Sequence, residues 1–471
     1  MLKLNDDIVL KDYQVQAVDF STSRPASLLS MKTGTGKSVC IIKSSMDLIN
    51  NNMCDKVLVL CTKSALLEVN DDFVSKTNCK PEILITDIDI EDFYKGDSKI
   101  ALLQYENFNK IDLSKLFRFM TKFRTACYAD EAHKLKTPKA MLTRSMIAIR
   151  RGFKYLIFLT ATPLTTSLMD LFHLVHILDK NIFKNKTAFT NTFVEIKMIK
   201  NWQTGHQYPE ITGYKNLELL RELIAPVCFQ YYPEQDTQYI EHSIKIKDID
   251  SYIEASEGLF KTKDTKIHAT RLIDLQQVVD KDENKLKLYL MSIKPVLSEG
   301  LITYCHFRET IDTLSNIFDR IGIDYRVISG NVSIKERREI KQWFNSDPAK
   351  KVLLISSAGS QSLNLQSVNN MFFYNIPFGF GAFSQAKGRI ERLFSKHTNF
   401  KIHFILTDVE IEGKITGTVD RYKHELISSY GEITEKVFNA KEVPKAELTS
   451  FNRKLIMKLK ENMLWVYKRK K

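Results

Sequence analysis

The chain has 471 residues, enough for about three compact domains at roughly 150 residues each, and it needs no disulfide or metal staple to bury a core. Apolar residues make up 44% and charged residues 27%, with both signs mixed, which excludes a disordered, collagen-like or low-complexity chain. Lys and Arg outnumber Asp and Glu by 69 to 56, and the net charge of +13 points to a polyanionic partner such as nucleic acid. No apolar run is long enough to span a membrane, and the first residues, MLKLNDDIVLKDYQ, lack the apolar core of a signal peptide. Seven scattered cysteines with no CxxC pair read as reduced intracellular thiols.

In the first half, residues 31–38 read Met-Lys-Thr-Gly-Thr-Gly-Lys-Ser. Gly34-Thr35-Gly36-Lys37-Ser38 supplies what a phosphate-binding loop requires. Glycines let backbone N–H groups face the phosphates, and a helix starting at Lys37 adds its positive dipole end. Lys37 then reaches the β/γ-phosphates and Ser38 ligates Mg²⁺. The Gly or Ala usual five positions before Gly36 is Met31 here. Short apolar runs at Val57–Leu60, Ala101–Leu103, Thr125–Ala129 and Leu156–Leu159 alternate with helical patterns, which predicts a parallel α/β sheet. Behind the third run stands Tyr128-Ala129-Asp130-Glu131-Ala132-His133. Adjacent acids at the carboxyl end of a parallel strand sit where ligands bind in open α/β sheets. Asp130 is placed to hold Mg²⁺ and Glu131 to deprotonate an attacking water. A Gly-Thr turn capping a helix would account for the first motif alone, but not for both in this order. The pair predicts hydrolysis of a nucleoside triphosphate.

Residues 180–290 loosen into charged helical segments, with Tyr231-Tyr232-Pro233-Glu234 as a boundary. A second set of strands is predicted at Leu301–Tyr304, Tyr325–Ile328, Val352–Ile355, Met371–Tyr374 and Ile402–Leu406. The last 31 residues carry ten Lys/Arg against three Glu. There Phe451, Leu455, Leu459 and Met463 recur every four residues, which predicts a helix over 448–467 with one apolar stripe in a basic surface. Such a helix either tracks nucleic-acid phosphates or packs on the second lobe. The expected divisions are a domain over 1–235, a helical connection over 236–290, a second domain over 291–440 and a basic helical tail over 441–471.

From about residue 8 to 430 the ordered motifs resemble those of superfamily two helicases, specifically the Swi/Snf-like group of DNA translocases. Leu10-Lys11-Asp12-Tyr13-Gln14 looks like the element that reads adenine through its Gln. The segment Cys61 to Leu67, with Lys63 and Ser64, is similar to motif Ia, which touches the DNA backbone, and Gln104-Tyr105-Glu106 to the group's Thr-Tyr-Glu element. Leu159-Thr160-Ala161-Thr162-Pro163 resembles motif III, and Tyr304-Cys305-His306-Phe307 motif IV. Ala358-Gly359-Ser360-Gln361-Ser362-Leu363-Asn364-Leu365 resembles motif V, and Gln385-Ala386-Lys387-Gly388-Arg389-Ile390-Glu391-Arg392 motif VI.

The resemblance implies two tandem RecA-like parallel-sheet domains, with ATP and Mg²⁺ held in the cleft between them. It implies catalytic roles for Lys37, Asp130, Glu131, Gln385, Arg389 and Arg392, and ATP contacts from Gln14, Thr33, Gly34, Thr35, Gly36, Lys37, Ser38 and Gly359. Arg389 and Arg392, three apart on one helix face, would stabilise charge on the transferring phosphoryl. His133, Thr160 and Thr162 are implied as coupling residues, and Lys63, Ser64, Tyr105, His306, Ser362 and Asn364 as DNA contacts. Departures from the group include Ser362 for Gly, Ile376 for Asn, Phe394-Ser395 for Gly-Gln, and Cys228-Phe229-Gln230 for a paired Arg. They leave the phosphate loop, acids and arginines intact but weaken the tie to the chromatin-remodelling branch. The expectation is a compact cytoplasmic motor of a bacterium or phage-infected cell, acting on duplex, forked or branched DNA in replication, recombination or repair. An RNA helicase and a motor subunit of a defence or restriction complex are the alternatives.

Overall fold

The computed structural model describes residues 1–63, 65–165, 167–200, 207–234, 236–261, 265–356, 365, 367–391, 395, 397–439 and 455–463. Contacts divide the chain into two compact units, in the main Met1–Pro233 and Glu234–Thr434.

The first unit is built on a seven-stranded sheet whose pairings are all parallel. In chain order its strands are β1 (Ala26–Met31), β2 (Lys56–Cys61), β3 (Glu82–Leu84), β4 (Ile100–Gln104), β5 (Thr125–Asp130) and β6 (Phe153–Thr160). A two-stranded ribbon, β7 (Val194–Lys200) and β8 (Gln207–Tyr214), intervenes before the last strand, β9 (Cys228–Tyr231). The spatial order is β3-β4-β2-β5-β6-β1-β9. Every residue of β1 and β2 is buried, the pattern of strands covered on both faces by helices. Helix α1 (Asp12–Thr22) packs against α2 (Lys37–Asn50), which begins directly after the phosphate loop.

The ribbon corrects the expectation of purely helical segments after residue 180. Val-Glu-Ile-Lys-Met-Ile-Lys alternates with period two, so it is a strand whose charges mimic a helix surface. Its base is fixed by the Tyr214 hydroxyl, which accepts from the Leu168 N–H at 3.0 Å, and by the packed rings of Phe172, Phe183, Phe189 and Phe193.

The second unit carries β10 (Asp236–Lys245), β11 (Leu301–Tyr304), β12 (Asp324–Ile328), β13 (Lys351–Ile355), β14 (Asn370–Phe373), β15 (Asn399–Ile411) and β16 (Lys414–Gly417). The order is β10-β15-β14-β11-β13-β12, parallel throughout, with β16 antiparallel on β15. Two parallel α/β sheets of this kind are tandem RecA-like domains. The stretch 236–290, expected as helical, opens on β10, a ten-residue edge strand, before the helices Ile249–Lys261, Thr265–Lys281 and Glu283–Ile293. Its sequence, Asp-Thr-Gln-Tyr-Ile-Glu-His-Ser-Ile-Lys, holds too few apolar residues to announce a strand. Of the tail, 455–463 is helical. Leu455, Leu459 and Met463 are buried, and Lys458 pairs with Glu425, so this part packs on its own unit. Phe451 and the basic run 468–471 lie outside the described residues.

A buried charge cluster ties the second unit together. The Lys285 ammonium, fully buried, donates to Asp280 at 2.8 Å and to Asp420 at 2.6 Å, and Gln276 donates to both carboxylates at 2.8 Å. Burial alone would lower the Lys285 pKa, but the two carboxylates raise it, so the ammonium stays charged. Removing one member of such a cluster strands the others. Lys285→Met is expected to cost about 3–5 kcal/mol, read as a lower urea midpoint of the full chain. A loss below about 1 kcal/mol would show that the cluster relaxes without it.

Candidate active site

β1 delivers the chain into the phosphate loop at Met31. Gly34 and Gly36 both adopt φ +78°, the left-handed region that costs an L residue about 1 kcal/mol or more. A Cβ on Gly36 would lie 2.3 Å from Gln14 Nε2, so this glycine also makes room for a side chain laid on the loop. Gln14 Nε2 donates to the Thr35 carbonyl at 3.0 Å, and Gln14 Oε1 accepts from the Lys11 N–H at 3.0 Å. The Tyr13 hydroxyl donates to the same Thr35 carbonyl at 3.0 Å. Thr35 Oγ1 closes the turn on the Lys32 carbonyl at 2.7 Å. Lys37 Nζ lies over the loop, donating to the carbonyls of Met31 and Lys32 at 3.1 and 3.3 Å. Thr33, Gly34 and Ser38 are partly exposed around it, and the first N–H groups of α2 start here. The result is an anion site with one ammonium and a helix dipole.

The acids come from β5. Asp130 ends the strand, and Glu131 takes φ 54°, a strained position for a non-glycine residue. Burial, and then the charge of Glu131, push the Asp130 carboxyl up to about 7, against the opposing pull of Lys37. Glu131 Oε2 lies 3.2 Å from His133 Nδ1. The same nitrogen lies 3.2 Å from Thr160 Oγ1, which in turn accepts from the Thr162 N–H at 3.1 Å. Glu131 and Thr160 thus converge on one nitrogen of His133 at the carboxyl end of β6. Ser38 and Asp130, a hydroxyl and a carboxylate, are oxygen donors of the kind that would hold a hard dication. Among the described residues no cluster of three or more His, Cys, Asp or Glu could hold a metal by itself.

Three tyrosines brace this edge, in roles the motif reading did not give them. Tyr231 stacks on Tyr13 at 3.8 Å with planes 6° apart. The Tyr232 hydroxyl lies 2.6 Å from Ser30 Oγ and donates to the Ala161 carbonyl at 3.1 Å, joining β1 to motif III. Tyr105, expected at DNA, is instead buried, its hydroxyl donating to the Asp130 carbonyl at 2.7 Å. It holds the acidic pair from behind. The only sequence signal for these roles was their position next to motif boundaries.

In the second unit, the helix Phe380–Lys387 carries half-buried Gln385 and stops at Gly388. Arg389, 7% exposed, therefore lies in the turn that follows rather than on a helix face, because Gly388 ends the helix. His306 is half-buried between Phe307 and Phe378, and burial, with Lys423, lowers its pKa to about 4, so it brings no positive charge to a phosphate near neutral pH. Lys63 is exposed. Ser64, Gly359, Ser362, Asn364 and Arg392 lie outside the described residues.

Residues 7–165 match the family described as the type III restriction enzyme res subunit, and residues 287–393 match the helicase conserved C-terminal domain. An "Uncharacterized ATP-dependent helicase" of Mycoplasma pneumoniae is 23% identical over 89% of this chain and 42% of its own length. A "Chromodomain-helicase-DNA-binding protein 1-like" of Mus musculus is 23% identical over 82% of this chain and 46% of its own. The chain thus spans less than half the length of these relatives. A Sulfolobus solfataricus structure described as a SWI2/SNF2 ATPase core in complex with dsDNA aligns over 92% of both chains, with 19% identity and a TM-score of 0.40.

Gly36→Ala and Gly413→Ala form a matched test of the loop. Both glycines have positive φ, but a Cβ at Gly413 meets nothing within 4 Å. Gly413→Ala is expected to cost about 1 kcal/mol of stability and leave nucleotide affinity alone. Gly36→Ala displaces Gln14 from Thr35 and is expected to weaken ATP binding about tenfold or more, measured by titration calorimetry. Equal ATP affinity in the two variants would contradict the role given to the loop.

Proposed function

We propose that this chain, which belongs to the superfamily two helicases in their Swi/Snf-like group, is an ATP-driven motor that translocates on duplex DNA. The observation that carries the proposal is the convergence of Glu131 and Thr160 on one nitrogen of His133, each at 3.2 Å, set beside a glycine-built phosphate loop. A site that only bound nucleotide would need the loop but not this convergence. The loop amides and Lys37 bind the β/γ-phosphates, and Ser38 and Asp130 hold the Mg²⁺ that, when bound, supplies further charge to them. Glu131 takes the proton of the attacking water, with His133 orienting its carboxylate. His133 and Thr160 then pass the state of Glu131 to motif III. Arg389 and Arg392 supply guanidinium charge to the transferring phosphoryl, a contribution on the order of 10³–10⁵ in rate.

Duplex DNA as the track is supported by the +13 net charge, by exposed Lys63, and by the DNA-binding name of the mouse relative. Forked or branched DNA in replication, recombination or repair is the finer form of this reading. The restriction-enzyme description matched over 7–165 favours a second one, the motor subunit of a defence complex. The deciding measurement is the ATPase rate with single-stranded, duplex, forked and four-way DNA and with RNA. DNA is expected to stimulate and RNA not to; equal or greater stimulation by RNA would overturn the DNA assignment.

The two principal residues separate by mechanism. Lys37→Ala is expected to weaken ATP binding and abolish turnover together. Glu131→Gln keeps affinity while turnover falls by about 10²–10⁴, because only proton transfer is lost. Equal losses of affinity in both variants would refute this division of roles.

A further inference from the structure

The edge strand β10 carries two side chains that grip the turn bearing Arg389. Thr237 Oγ1 donates to Glu391 Oε1 at 2.7 Å, and Glu391 is fully buried. Lys387, at the end of the helix Phe380–Lys387, donates to the Tyr239 hydroxyl at 2.7 Å and lies 3.2 Å from the same Glu391 oxygen. Its ammonium also sits 5.3 Å from the centre of the Tyr239 ring. Thr237 and Tyr239 are two apart on a strand, so both project to one face, toward residues 387 and 391. Arg389 lies midway between those gripped residues, in a turn stiffened by N–H bonds from Arg389 to Ala386 and from Glu391 to Lys387. The strand cannot slide to loosen the grip: β10 pairs with β15 over ten residues, with Thr237 opposite Phe400 and Tyr239 opposite Ile402.

We propose that Thr237 and Tyr239 are positioning residues for Arg389, clamping Glu391 and Lys387 on either side so that the guanidinium is presented in one orientation. The proposal rests on the catalytic role given to Arg389 above and adds the element that aims it. A guanidinium that acts only on developing charge must be held before that charge appears, since a turn free to move would spend part of the stabilisation on ordering itself. Neither residue belongs to any of the recognised motifs, and both lie in a stretch whose sequence reads as a connection. The clamp therefore assigns a function to β10 beyond completing the sheet.

The test uses the full chain and DNA-stimulated ATP hydrolysis, with Arg389→Ala as the reference. Thr237→Val keeps the shape but removes the hydroxyl, and Thr237→Ser restores it. The expectation is that Thr237→Val lowers kcat about tenfold with the KM for ATP within about twofold, and that Thr237→Ser returns kcat to within about twofold of the parent. A residue needed only for packing would respond in the opposite order, since Val fills the Thr site better than Ser does. Tyr239→Phe, at a side chain that is 54% exposed, is expected to fold normally and to lower kcat about threefold. It carries the test if the Val variant fails to fold. Parent-like kcat in both Thr237→Val and Tyr239→Phe, beside an impaired Arg389→Ala, overturns the clamp while leaving the function of Arg389 standing. Undiminished turnover in Arg389→Ala overturns both.

Discussion

The register of three neighbouring parallel strands is the constraint on which the nucleotide site depends. β1 pairs with β6 so that Ser30 stands opposite Thr160, and β5 pairs with β6 so that Asp130 stands opposite Leu159. The phosphate loop, the acidic pair and motif III therefore leave the sheet at one edge. No strand can slip by a residue without turning its faces over, and both faces here are buried. The sheet thus fixes three separate stretches of sequence before any side chain joins them. The side-chain bonds do the finer work: Tyr232 joins β1 to motif III, His133 joins the acids to it, and Tyr105 holds Asp130 from behind. The left-handed Glu131 is tolerated within this frame, because the strand before it and the short turn Ala132–Leu135 after it are both buried and bonded.

In the second unit a buried charge does what register does in the first. Asp280 accepts from Asn375 Nδ2 at 2.6 Å, from Thr310 Oγ1 at 2.9 Å and from Lys285, while its carbonyl accepts the Tyr374 hydroxyl at 2.6 Å. Asn375 Oδ1 in turn accepts the His306 N–H at 2.5 Å. One carboxylate thereby fixes the carboxyl ends of β11 and β14 against the helix Thr265–Lys281. An apolar core could supply comparable stability, but it could not specify these backbone positions one by one. Lys423, whose pKa burial lowers to about 8, adds a bond to the Ile376 carbonyl in the same loop. That is the loop where the sequence departs from its group by having Ile376 in place of Asn, and here the neighbouring Asn375 carries the hydrogen bonds.

What could be read from the sequence follows from how each signal is encoded. Central strands such as Val57–Leu60 and Val352–Ile355 are short apolar runs, and they lie inside observed strands, the first extended by one residue at both ends and the second by one at its start. Gly34, Gly36, Lys37, Asp130 and Glu131 stand out in the sequence because phosphate chemistry restricts both residue type and spacing. The ribbon β7–β8 and the edge strand β10 could not, because edge strands carry charges that suppress the apolar signal. Tyr105 and His306 were expected to face DNA, and both turned out to depend on burial, which no local pattern reports. Nor does a stripe of apolar residues say what it meets. Leu455, Leu459 and Met463 recur as a DNA-tracking helix would, yet they are buried in the second unit.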